Sequence, residues 1–158
     1  MGNLKLTSLD FEDGGEIPRE CGYKNGNKAP ILQWSLDSGG GNDLGGDDSP
    51  ASFALIMDDP DAMGAVGKVW VHWVVWNIWP VSNTGVVDAK SGTEGMTDFG
   101  EVGYGGPAPP DKRHTYIFKL YALDIKLDLP NESTKADVEK AMEGHIIEQT
   151  QLTGTYAP

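Results

Sequence analysis

Apolar positions along this chain recur mostly with a period of two, the spacing of β-strands. Ile31-Leu32-Gln33-Trp34-Ser35-Leu36 predicts one strand, and residues 52–58, with the apolar run Phe53-Ala54-Leu55-Ile56-Met57, predict a second. A third covers 69–79 and places the even-numbered Trp70, His72, Val74 and Trp76 on one face. In the fourth, His114 to Asp124, Thr115, Ile117, Lys119, Tyr121 and Leu123 share one face, and His114, Tyr116, Phe118, Leu120 and Ala122 the other. Gly and Pro clusters punctuate these runs. One helix is predicted near the C-terminus. Thr134 and Asp137 have the spacing of a capping box, Val138, Ala141, Met142, His145, Ile146 and Gln149 then share a face, and Gly154 supplies the stop. The apolar side of that helix is expected to pack on the sheets. Residues 1–158 read as a single, mostly β domain. Its 37–48 segment, rich in Gly and Asp, reads as a flexible acidic loop, because a calcium-binding β-roll needs several consecutive copies of such a repeat.

A length of 158 residues and 39% hydrophobic content suit one domain with its own core. The 24 acidic residues outnumber the 12 basic ones, for a net charge of -12. That balance opposes binding to nucleic acid, which requires Lys/Arg clusters, and electrostatic attachment to anionic membranes. Cys21 is the one cysteine, so no intrachain disulfide forms. No stretch approaches the roughly 20 apolar residues of a spanning helix, and the first residues lack a secretory pattern. A cytoplasmic protein without integral membrane contact is expected.

Ionisable side chains next to an apolar strand are costly unless they are paired or used. If strands 69–79 and 114–124 line one cavity, His72, His114 and Tyr116 point into it, and Asp59 and Asp61 reach the same mouth from the turn after residue 58. The segment Gly103-Tyr104-Gly105-Gly106-Pro107-Ala108-Pro109-Pro110 forms the rim. Imidazole and phenol donors, with backbone N–H groups from a glycine-rich rim, can hold an oxyanion such as phosphate. Asp59 or Asp61 can orient a histidine or meet a cationic group beside the phosphate. The plainer alternatives are that each histidine is a satisfied core residue, that Asp58 ends a strand, and that Asp61 caps its own turn. His145, on the helical apolar face, is expected to pack. No nucleophile elbow, P-loop or dinucleotide fingerprint is present. An enzyme that uses the same His/Asp set on a metal, or as acid and base, stands as the alternative. The spacing demands neither a metal nor a cofactor.

Together these segments resemble the phosphatidylethanolamine-binding protein family, also called the Raf kinase inhibitor protein family, in its bacterial and archaeal branch. The resemblance rests on Asp59-Pro60-Asp61-Ala62-Met63, His72-Trp73, the run Tyr104 to Pro110, His114-Thr115-Tyr116, Tyr121-Ala122-Leu123-Asp124 and Gly144-His145. Ile17-Pro18 and Gly154-Thr155-Tyr156 extend it over nearly the whole chain. The chain departs from the family pattern at Met63, where Pro is usual, and at Thr115, where Arg is usual, with Arg113 nearby as a partial substitute. The resemblance implies an antiparallel β-sandwich with a few peripheral helices. It also implies a small pocket for phosphate-bearing groups such as phosphorylethanolamine or a lipid headgroup. Carried over residue by residue, that pocket comprises Asp59, Asp61, His72, Tyr104, Gly106, Ala108, His114 and Tyr116. The roles it implies are regulation of a protein kinase or inhibition of a serine protease, without catalysis. A homodimer through one sheet face is left open by the same resemblance.

Overall fold

A computed structural model describes residues 3–37, 50–80 and 82–158. The expected acidic loop, 37–48, lies outside the described residues except for Asp37. Among the described residues, nine strands form two sheets. The smaller is ordered β1 (Asn3–Ser8), β3 (Leu32–Asp37) and β6 (Thr84–Val87). The larger runs β2 (Gly15–Glu16), β9 (Ile146–Tyr156), β8 (His114–Leu123), β4 (Ser52–Asp59), β5 (Trp70–Ile78) and β7 (Thr93–Glu94). All pairings are antiparallel except that of β2 with β9. The fold is the mostly β sandwich expected from the sequence, with two short α-helices, α1 (Ala62–Val66) and α2 (Lys135–Met142). No helix among the described residues is long and apolar enough to cross a membrane.

The sandwich has two apolar layers. Between the sheets, Leu4, Leu6, Leu32, Trp34 and Leu36 meet Phe53, Leu55, Met57, Trp73, Val75, Phe118 and Leu120. On the far side of the larger sheet, Ala54, Ile56, Val74 and Trp76 pack under Val138 and Met142 of α2. Strand β4 is therefore buried along its whole length, which explains why its apolar run does not alternate. Asp58 faces this second layer. It is buried there, and its carboxylate is 2.8 Å from Lys135 Nζ and 3.5 Å from Lys119 Nζ. The residue that reads as a strand end thus anchors α2.

The predicted helix starts as expected but is shorter. Thr134 Oγ1 accepts from the Asp137 amide at 3.3 Å, and Asp137 Oδ2 accepts from the Thr134 amide at 2.9 Å, so the capping box is complete. The helix ends at Met142, and Gly144 takes a left-handed φ of 80°. Few residues other than glycine adopt that turn cheaply. Residues 146–156, assigned above to the helix and its stop, form β9 instead. Thr150, Thr153 and Thr155 favour extended backbone through their branched Cβ. Ten-residue pairing with β8 buries Leu152, Gly154 and Tyr156 inward. His145 lies between helix and strand, where its Nδ1 bonds Asp124 Oδ1 at 2.8 Å. Replacing Thr134 by alanine is expected to cost about 1 kcal/mol in urea unfolding. A loss near zero would show that packing of Val138 and Met142 alone sets the helix start.

Candidate functional site

The cavity owes its shape to a slip in one strand. Met57 of β4 pairs with Trp73 of β5, but the next residue, Asp58, pairs with Val71 rather than His72, and Asp59 with Trp70. This β-bulge adds one residue to β5 and reverses its alternation. Beyond it, Trp70 and His72 turn toward the cavity, while Val74 and Trp76 pack in the layer under α2. The expectation that all four share one face is corrected accordingly. An even alternation would have put His72 under the helix.

The cavity is about 250 Å³ in volume. Ala62, Ala65 and Val66 of α1 form one side, and Trp70, Phe99, Ala108 and Pro110 the others. Its polar groups are Asp59, His72, His114 and Tyr116. Strand β8 supplies the last two from its buried face, as the alternation of that strand predicts.

His114 stands between two carboxylates. Its Nδ1 is 2.6 Å from Asp59 Oδ2, and its Nε2 is 2.7 Å from Asp111 Oδ1. The ring is fully shielded from solvent, whereas the Asp111 side chain is 42% exposed. Burial by itself would lower the His114 pKa, but the hydrogen bonds and charges of Asp59 and Asp111 outweigh it and raise the pKa. The hydrogen bond from His114 correspondingly holds the Asp111 carboxyl below its usual range. With a carboxyl oxygen within hydrogen-bond distance of each ring nitrogen, the geometry favours a proton on both. Asp59 is fixed at both oxygens, since its Oδ1 accepts the Asp61 amide at 2.9 Å.

His72 has the opposite character. Its ring is pinned by Nδ1, which donates to the Gly105 carbonyl at 2.7 Å, while the Gly105 amide donates to the His72 carbonyl at 2.8 Å. Burial lowers its pKa, against opposing contributions from Gly105 and Asp59. A neutral ring with its proton on Nδ1 leaves Nε2 as an acceptor. The expectation that His72 donates to an oxyanion is therefore revised, because its one N–H is already spent. Tyr116 packs edge-on to His72, with ring centroids 5.1 Å apart and an interplanar angle of 85°. The Tyr116 residue is fully buried, and its hydroxyl has no hydrogen-bond partner among the described residues. The Ala108 amide and the Asp59 carboxylate are polar neighbours of that hydroxyl, but neither reaches hydrogen-bonding geometry. Burial, followed by the Asp59 charge, raises the phenol pKa and keeps the O–H protonated.

Three expected site residues stand outside the cavity wall. Asp61 Oδ2 accepts from the Thr115 amide at 2.8 Å and ties the start of α1 to β8. It does not cap its own turn; Asp59 does that for it. Tyr104 stacks edge-on to Trp73, and its hydroxyl donates to the Cys21 carbonyl at 2.8 Å. The Gly106 amide donates to Asn27 Oδ1 at 2.7 Å, so it is not free for a ligand. A Cβ on Gly106 would collide with the Cys21 carbonyl, which is why glycine is needed there. Arg113 points away, toward Thr155 Oγ1 at 3.1 Å and Glu16 Oε2 at 3.4 Å. Phe99, Asp111 and the α1 alanines were missed by the sequence reading. Only Asp111, three residues before His114 in a proline-stiffened turn, carried a local signal. Among the described residues, no group of three or more His, Cys, Asp or Glu side chains is arranged to hold a metal ion.

The sandwich, the cavity at one end of the larger sheet and the His/Asp/Tyr set define a β domain with a candidate small-molecule site. The family model for phosphatidylethanolamine-binding protein matches residues 7–157, and the chain belongs to that family. It is 40% identical over 157 residues to the UPF0098 protein of Methanothermobacter thermautotrophicus, covering 97% of this chain and 98% of the relative. Among solved structures it is similar to a phosphatidylethanolamine-binding protein homologue from Chlamydia trachomatis, with a TM-score of 0.80 and 33% identity over 97% of this chain and 96% of the other. It is also similar to YbcL of Escherichia coli, with a TM-score of 0.79 and 29% identity over 97% of both chains. A carboxypeptidase Y inhibitor solved with its proteinase shares the fold alone, at 16% identity and a TM-score of 0.55, covering 97% of this chain and 82% of the other.

Proposed function

We propose that this chain is a non-enzymatic binding protein, and that its cavity takes a small phosphoryl-bearing group of the phosphorylethanolamine type. The observation that carries the reading is the buried Tyr116 hydroxyl with no partner. A buried polar group left unpaired costs about 1–3 kcal/mol, and a ligand oxygen that accepts from it recovers that cost. Beside it stand the charged His114 ring and the Ala108 amide, both suited to an oxyanion. His72 Nε2, as an acceptor, suits a proton on the ligand, such as that of an ammonium group. That role falls to His72 because both oxygens of Asp59 are already committed. The apolar walls take the connecting carbons.

The enzyme alternative is less well supported. Acid–base chemistry needs a ring nitrogen that can exchange a proton with substrate. Both nitrogens of His114 are held by carboxylates, so such an enzyme would have to work through His72 Nε2, in a ring whose pKa burial lowers. Regulation of a kinase or serine protease in the cytoplasm is the role the family resemblance implies for such a binding protein.

Calorimetric titration with phosphorylethanolamine tests the reading. One saturable site per chain is expected. It should be lost in Ala65→Trp, which fills the cavity from the partly exposed face of α1 and should leave the melting temperature unchanged. Equal binding by a folded Ala65→Trp chain, or none by the wild type, would overturn the assignment.

A further inference from the structure

The donors at this cavity are nearly all occupied. His72 gives its N–H to Gly105, Gly106 gives its amide to Asn27, and His114 gives one N–H to Asp59. The remaining N–H of His114, on Nε2, is taken by Asp111. Asp111 differs from Asp59 in its setting. Asp59 is buried at a strand end and fixed at both oxygens. The Asp111 side chain is 42% exposed on the turn between Pro110 and His114, with its backbone outside the sheet. One carboxylate is structural, and the other can leave for water at little desolvation cost.

We propose that Asp111 is the cavity's own anion: it occupies His114 Nε2 when no ligand is bound, is displaced by a phosphoryl group, and thereby excludes carboxylates. The inference rests on the phosphoryl-binding reading above and adds its selectivity. A free carboxylate that reached His114 would replace an identical group. Its second oxygen would add at most the Tyr116 hydroxyl, and it would compete with a carboxylate tethered three residues away, whose effective concentration is far higher. A phosphoryl dianion carries twice the charge and a third oxygen, so it can accept from His114 and from the unpaired Tyr116 hydroxyl and still offer an oxygen to the Ala108 amide. Displacement also moves one negative charge out of a site that already holds Asp59, and relieves repulsion toward the incoming anion.

The test titrates inorganic phosphate, phosphorylethanolamine and acetate into the wild-type chain, Asp111→Ala and Asp111→Asn. The last variant keeps the shape of the side chain without its charge. Removing a charge-assisted competitor is expected to tighten both phosphoryl ligands about tenfold. Acetate binding, absent from the wild type, should appear in Asp111→Ala. In the phosphate-saturated wild-type chain, carbon NMR should show the Asp111 carboxyl titrating in the ordinary carboxylate range. Equal phosphoryl affinities in all three chains would overturn the proposal and leave the binding reading intact. Acetate bound as well by the wild type as by Asp111→Ala would do the same. No phosphoryl binding by any of the three would remove the binding reading itself, and this inference with it.

Discussion

His114→Ala is expected to destabilise the chain by about 3 kcal/mol near pH 6, the cost of leaving a buried carboxylate without its partner. Asp59 is the group stranded, because it is buried and loses its 2.6 Å bond to the His114 ring. The pH dependence has a definite sign. Folding raises the His114 pKa above its ordinary value of 6.5. A histidine of this kind contributes stability that is fully present below about pH 6.5 and is lost as pH rises through the folded value. The wild-type chain should therefore lose stability over that window, and the variant should not, so their difference narrows as pH rises. Urea unfolding of both chains at pH 6 and pH 9 checks this. A difference that stays constant between the two would mean that His114 is not charged in the folded state.

Tyr116→Phe is expected to separate stability from binding. The hydroxyl is desolvated and unpaired, so its removal should stabilise the empty chain by about 1 kcal/mol. The same change removes an unspent side-chain donor at the cavity, and phosphorylethanolamine should bind about tenfold more weakly. A variant that is less stable than the wild type, or that binds equally well, would show that the hydroxyl has a structural partner instead of awaiting a ligand. A protein that carries an unmet polar group in its interior bears a standing cost, and such costs gather at sites of function.

Much of this architecture was legible in the chain. Strict alternation in 114–123 placed His114 and Tyr116 on the buried face, and the apolar run in 52–58 announced a central strand. The capping residues fixed the start of α2. The errors share a physical origin. Periodicity counts residues, and a bulge changes the count. One added residue between Val71 and Trp73 moved His72 to the cavity side without altering the apolar content of β5. The end of α2 was missed because Met142, His145, Ile146 and Gln149 continue a helical spacing past Gly144, whereas pairing with β8 decides that β9 is a strand. The protonation roles were hidden for a related reason. Nothing local to His72 says that Gly105 takes its proton, and nothing local to Asp59 says that His114 will meet it from β8.

The pairing of β2 with β9 has a consequence for how this molecule is made. Gly15 aligns with Gly154 and Glu16 with Thr155, and the Arg19 guanidinium donates to the Ala157 carbonyl at 2.7 Å. Residues from opposite ends of the chain thus close one edge of the larger sheet, and β9 must be in place before β8 gains its second neighbour. Loops of this size are slow to close, because their entropy is lost before the contacts form. During synthesis the hairpin of β4 and β5 can form early, but the sheet cannot be completed until residues 146–157 have left the ribosome. Until then one edge of β8 lacks its partner strand, and its unpaired backbone groups are open to chaperones and to misassembly.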